Sequence, residues 1–175
     1  MGFFNLNGQK QISLVTCTVV QWIDVFTRPV YADIILDGVK HLQKYSGLQV
    51  YGWGIMTNRA QLICSSRKAT DLEETIREFK KHTSGNIISA MENDENEPRK
   101  TWMLYLLKQI GGITLWQTAP DTEEIRSRDM FLQKLNLIHF SPVKAGWVNN
   151  PADYRYSSAR DFDGAKGMLE LSSYD

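Results

Sequence analysis

The side chains able to do chemistry in this chain are few and scattered. His41, His82 and His139 lie far apart in sequence, so local geometry pairs none of them, and each is expected as a hydrogen-bonded structural residue. Cys17 and Cys64 are too few for a cysteine-ligated zinc site or a disulfide scaffold, and both sit in apolar, strand-like stretches that suit a reducing cytoplasm. The cations remain. Lys80, Lys81 and His82, with Arg67 and Lys68 nearby in sequence, could line a phosphate track, and Trp53 or Trp116 could stack on an unpaired base. The same residues also fit a solvated helix face and core tryptophans.

Twenty basic residues balance twenty acidic ones, so no global field attracts a polyanion and any nucleic-acid binding must come from local patches. With 175 residues, 42% hydrophobic and 23% charged, the chain is expected to form a single domain over 1–175. No window approaches the roughly 18 to 20 apolar residues of a membrane-spanning helix. The opening MGFFNLNGQKQ lacks the basic and apolar regions of an export signal, and Leu6 stands where a myristoylation signal needs a hydroxyl residue. A soluble, unexported, cytoplasmic protein is expected.

The elements that must hold these residues follow from periodicity. Gln11 to Gln21 is rich in β-branched residues and predicts a buried strand. Proline at 29 suits the first turn of a helix running to Tyr45, with Ile34, Ile35, Val39 and Leu42 on one face and Ser46-Gly47 as its stop. Leu48 to Met56 and Arg59 to Ser65 read as a hairpin around Thr57-Asn58. Within its second strand, Ala60, Leu62 and Cys64 point one way and Arg59, Gln61 and Ile63 the other.

A helix capped by Thr70 or Asp71 should run to about Met91, followed by an exposed polar excursion from Glu92 to Lys100. Thr101 to Ile110 reads as a helix stopped at Gly111-Gly112, Ile113 to Thr118 as a last strand, and Glu123 to Phe140 as a helix ended by Ser141-Pro142. From about 143 the chain reads as an extended tail. This order is that of a split βαβ unit: an α+β, ferredoxin-like antiparallel sheet with helices packed on one face. Such a fold names no function by itself.

The last helix holds an anomaly. Phe131, Leu132, Leu135 and Ile138 cluster with Ile125 on one face, whereas Leu137 falls nearly opposite, in line with Arg126, Met130 and Gln133. An apolar residue there is either an interface or second-layer leucine or a former functional position.

Four ordered segments, YGWGIMTNRAQLI, LWQ, KLNLIHFSPVKAGWV and PADYRYSSARDF, together resemble the REP-associated tyrosine transposases, bacterial single-strand DNA transposases of the HUH type. The resemblance spans Cys17 to Phe162. It implies a transposase-like catalytic-domain fold, a divalent Mg or Mn ion held by two histidines on alternate strand residues, and a tyrosine that attacks the scissile phosphate to leave a phosphotyrosine. The family's hairpin normally reads Met-Pro-Asn-His-x-His-Leu, which places Arg59 and Gln61 at the two histidine positions. Its helix normally reads Lys-Leu-x-Tyr-Ile-His-x-Asn-Pro-Val, which places Leu137 at the nucleophile and Ser141 at an asparagine set like a third metal ligand. After Trp116-Gln117 the family carries Asn-His, where an ungapped alignment puts Pro120 and Asp121.

The departures fall at the chemical positions while the scaffold motifs persist, which implies a homologue that binds no metal and does not cut. Tyr154 and Tyr156 lie in the tail and are assigned to packing. Arg59, at a lost metal position, could hold phosphate oxygens bidentately, or stand solvated on the sheet. The expected function is therefore binding of single-stranded or hairpin DNA, with Arg59, Arg67, Lys68, Lys80, Lys81 and Arg126 as contact candidates and a homodimer as a further possibility. An active transposase using other residues, and a structural or protein-interaction relic without DNA binding, stand as the alternatives.

Overall fold

In the computed structural model, residues 11–66, 72–108, 114–118 and 121–174 are described. Strands β1 (Ile12–Thr18), β2 (Leu48–Ile55), β3 (Arg59–Ser66) and β4 (Asp121–Ile125) form one sheet in the order β2-β3-β1-β4. All three pairings are antiparallel, as the sequence predicts. Helix α1 (Pro29–Tyr45) has proline in its first turn, Lys44 in its last, and Tyr31, Ala32, Ile35, Leu36, Val39 and Leu42 buried along one stripe. Gly47, at φ 71°, takes the left-handed position just past its end.

Helix α2 (Leu72–Asn93) packs beside α1, and the two cover one face of the sheet over Val15, Cys17, Trp53, Ala60, Leu62 and Cys64. The predicted cap at Thr70 or Asp71 lies outside the described residues, as does the stop at Gly111-Gly112. Helix α3 (Lys100–Lys108) adds Met103 and Leu107 to the same core. A second core lies on the other face, where Phe131, Leu135 and Ile138 of α4 (Arg128–Lys144) meet Leu14, Tyr51, Ile63 and Ile125.

Several expectations need correction. The first strand stops at Thr18, because residues 20–22 and 25–27 turn as short 3-10 segments. The apolar stretch around Leu115 and Trp116 contributes one isolated bridge, Val19 with Trp116, and its side chains plug the core. The fourth strand is instead the acidic DTEEI, whose backbone satisfies the free edge of β1 from Ile12 to Thr16. Its charged side chains suit a sheet edge, and that pairing overrides their helical propensity.

Helix α4 accordingly starts at Arg128 rather than Glu123, where the Ser127 hydroxyl accepts from the Met130 amide at 3.1 Å. It continues to Lys144 with Pro142 inside, since a proline so near the end forfeits a single helical bond. Leu132 is 45% exposed, so it leaves the predicted apolar cluster, and Arg126 and Ile125 precede the helix altogether.

The polar stretch after α2 is no simple exposed excursion. The Glu97 side chain is fully buried, clamped by Arg99 at 2.9 Å and within 3.7 Å of Arg28, which also pairs with Asp94. Arg99 holds the Glu97 carboxyl below the usual glutamate range despite burial. The tail also packs. Tyr156 and Ser158 hydrogen-bond along the outer edge of β2, at Ile55 and Trp53, before α5 (Ala159–Phe162), and the Ser172 amide donates to Val50.

Candidate functional site

Side-chain parity on β3 is as the sequence predicts. Ala60, Leu62 and Cys64 belong to the α1/α2 core, while Ile63 belongs to the α4 core, so Arg59 and Gln61 face the α4 side. Register then extends a row across the whole sheet. Gly54 of β2 pairs with Gln61, Gln61 with Thr16 of β1, and Thr16 with Asp121 of β4. Directly paired residues point the same way, so the row presents Gln61, Thr16 and Asp121 on one face, with Arg59 and Thr18 paired one row further on. The Gln61 amide donates to Thr16 Oγ1 at 3.3 Å.

Two glycines bring α4 down onto this face. A Cβ at Gly54 would stand 2.6 Å from Ile138 Cγ2, and one at Gly52 would strike Leu135. Without side chains at these positions the helix backbone approaches the sheet more closely than any other residue would allow. The Tyr51 bulge between Val50 and Gly52 sets that phase, turning both glycines toward α4 while Val50 and Trp53 stay in the opposite core. Lys134 pins the helix laterally to Glu123 of β4 at 2.6 Å. Leu137, next to Ile138 on α4, is 49% exposed, with its side chain outside the α4 core. Ser141 donates its hydroxyl to the Leu137 carbonyl at 2.7 Å, a bond within the helix.

These residues do not fit a divalent metal. Gln61 offers a neutral amide already bonded to Thr16, Arg59 is a cation, Ser141 is engaged by its own helix, and Asp121 stands two strands from Gln61. Among the described residues no group of three or more histidine, cysteine or acidic side chains could hold a metal ion.

The other candidates disperse. Arg67, Lys68 and Pro120 lie outside the described residues. Lys80 is half-buried on α2, in the layer on the opposite face of the sheet, and its amine donates to the Gln117 carbonyl at 3.1 Å. Lys81, beside it, is exposed. Arg126 is exposed and paired with Glu124 at 3.0 Å. Trp53 and Trp116 are core residues, 0% and 3% exposed, so neither can stack on a base. The Trp116 indole donates to Thr83 inside the α2 layer.

The two tail tyrosines and both cysteines are poor nucleophiles where they stand. Burial pushes Tyr154 up to about 12, and its hydroxyl donates to the Ile55 carbonyl at 2.8 Å. Burial and the Asp33 carboxylate raise Tyr156, which donates to Asp33 at 3.2 Å. Burial likewise raises Cys17, to about 11, and Cys64 further still. His139, 6% exposed, meets the Ser158 hydroxyl at 2.8 Å, and burial lowers it to about 4, so the ring is neutral.

Asp121, which the ungapped alignment sets where the family carries Asn-His, reaches the row through β4, a strand the sequence did not predict. One feature escaped the sequence. His41 and His82, far apart in sequence, lie with ring centroids 6.0 Å apart and line a cleft of about 180 Å³ between α1 and α2 with Glu78. No local signal could have found that pair, because it depends on how two helices cross.

No family model matches the chain, and no curated protein matches it. Solved structures do. A REP-associated tyrosine transposase bound to a REP hairpin superposes with a TM-score of 0.64 at 15% identity, covering 94% of this chain and 88% of the other. A protein of Deinococcus radiodurans R1 described as a transposase superposes with a TM-score of 0.50 at 16% identity, covering 73% of this chain and 87% of its own. No helix among the described residues is long and apolar enough to cross a membrane. Sheet order, the helix layers on its two faces and these superpositions agree with the motifs of the hairpin and the late helix: the chain has the fold of a REP-associated tyrosine transposase.

Proposed function

We propose that this protein binds single-stranded or hairpin DNA and does not cut it, as a pseudoenzyme on an HUH-type transposase scaffold. The row across the sheet carries the reading: Gln61 and Asp121 flank Thr16, Arg59 stands beside them, and α4, the helix that carries Leu137, packs on the same face of the sheet. That face offers a cation and neutral hydrogen-bonding groups to a phosphate but no paired imidazoles to polarise it and no hydroxyl at the nucleophile position. The hairpin-bound state of the structurally similar transposase supports a folded DNA hairpin as the ligand class.

A mobility-shift assay with a hairpin bearing a single-stranded extension tests binding, and a denaturing gel after incubation with Mn²⁺ tests for a covalent adduct. The expected result is a shift without an adduct. An adduct lost on replacing Tyr154 or Tyr156 would instead identify an active transposase.

A second reading has its own support. Leu137, Phe140 and Trp147 are each 45–49% exposed along and just beyond α4, a surface suited to a protein contact, including a second copy of this chain. Absence of any DNA shift, together with self-association lost on Leu137→Glu, would favour that relic.

A further inference from the structure

The loop joining β1 to α1 is held in an unusual conformation. Gln21 and Trp22 both have φ of 52°, the two non-glycine residues in the left-handed region among those described. That region is costly for any residue with a Cβ and most anomalous for a bulky one, so the surroundings must enforce it. They do. Val20, Ile23, Val25 and Phe26 are buried on either side, and the amides of Val19 and Phe26 donate to Asn58 and Thr57 in the hairpin turn at 2.9 and 2.8 Å. The Asn58 side chain in turn reaches the Trp22 carbonyl at 3.4 Å.

The strain buys no burial for the indole, which is 68% exposed between those core anchors. The residue after Asn58 is Arg59, whose guanidinium has no acidic partner among the described residues, unlike Arg28, Arg77, Arg99 and Arg126. An exposed aromatic side chain is thus carried on a backbone fastened to Asn58, the residue that precedes a cation with no acidic partner.

The geometry points to a base-stacking site: Trp22 receives one unpaired nucleotide base of single-stranded DNA while Arg59 holds an adjacent phosphate. The inference rests on the DNA-binding reading and adds to it the residue that grips a base, a task Trp53 and Trp116 cannot perform from the core. Stacking requires only a π-face, so the contact is tolerant of sequence and demands an unstacked base, which a single-stranded extension supplies and duplex does not.

Fluorescence anisotropy with a labelled hairpin carrying a single-stranded extension provides the test, the extension bearing an abasic site at each position in turn. Trp22→Ala should weaken binding about tenfold or more, and Trp22→Phe should restore most of it. Wild type should lose affinity at one abasic position where Trp22→Ala loses nothing more. Trp22→Gly, which accepts the left-handed backbone, should melt no lower than wild type yet bind as poorly as Trp22→Ala.

Equal binding by wild type and Trp22→Ala would overturn the stacking site and leave DNA binding standing. A loss shared by the phenylalanine variant and indifferent to every abasic position would mark a structural or protein-contact tryptophan and overturn it too. Failure of wild type to bind single-stranded or hairpin DNA would remove both readings.

Discussion

Arg59 is the residue on which DNA affinity should turn most directly, because it stands half-buried on the α4 side of the sheet with no acid to neutralise it among the described residues. Removing one phosphate contact lowers the salt dependence of binding by a slope of about one and weakens all sequences alike. Arg59→Ala is expected to do both in titrations of hairpin DNA at several salt concentrations; unchanged affinity and slope would show a merely solvated arginine. Leu137 makes the complementary case. Leu137→Tyr places a hydroxyl where the family resemblance sets the nucleophile, yet on the proposed reading no adduct should form, because Gln61, Arg59 and Ser141 offer no metal site to polarise a phosphate. Calorimetry with Mn²⁺ should accordingly find no tight, stoichiometric site in either protein, and one that vanishes in Gln61→Ala would contradict the assignment.

Among the elements, the seating of α4 on β2 decides whether the site has a shape at all. Gly54 and Gly52 are empty so that Ile138 and Leu135 can descend, and nothing about a glycine in a strand says from sequence which partner fills its space. Gly54→Ala should push Ile138 outward at a cost of about 1–3 kcal/mol, read in urea unfolding. In an Ile138→Ala background the same change should cost much less, since the clashing methyl is gone; full additivity of the two changes would refute the close approach. The hairpin, by contrast, was legible to within a residue. The parity of its second strand and the Thr57-Asn58 turn are both local signals. The acidic strand β4 was not, because DTEEI has the composition of a helix start and becomes a strand only when the edge of β1 is there to receive it.

At the scale of the whole molecule, one buried contact ties three parts of the chain together. His139 of α4 meets Ser158 of the tail, and the amide of Ser158 and its hydroxyl both engage the Trp53 backbone in β2. Burial lowers the imidazole from 6.5 to about 4. Above pH 6.5 the ring is neutral in folded and unfolded chains, so it contributes no pH dependence. Between 6.5 and 4 the unfolded chain binds a proton the folded one refuses, and stability falls as the pH falls, by on the order of 2–3 kcal/mol in all. Unfolding measured from pH 7 to pH 4 should therefore be steeper in wild type than in His139→Gln; parallel curves would mean the ring is accessible to protons when folded.

By itself the sequence determined the antiparallel α+β class, the hairpin, the first two helices and the parity that sets Arg59 and Gln61 on one face, since period, capping and turn chemistry act over a few residues. It also fixed that position 137 carries no hydroxyl, because leucine has none wherever it is placed. Only the tertiary structure decided what those residues stand beside. The row from Gln61 through Thr16 to Asp121 depends on cross-strand register, the burial of Glu97 on Arg28 reaching it from a distant segment beside its near neighbour Arg99, and the exposure of Trp22 on a loop clamped by the hairpin turn. The indoles of Trp22, Trp53 and Trp116 are chemically identical; packing placed two in the core and left the third, in a backbone conformation its own side chain disfavours, facing solvent.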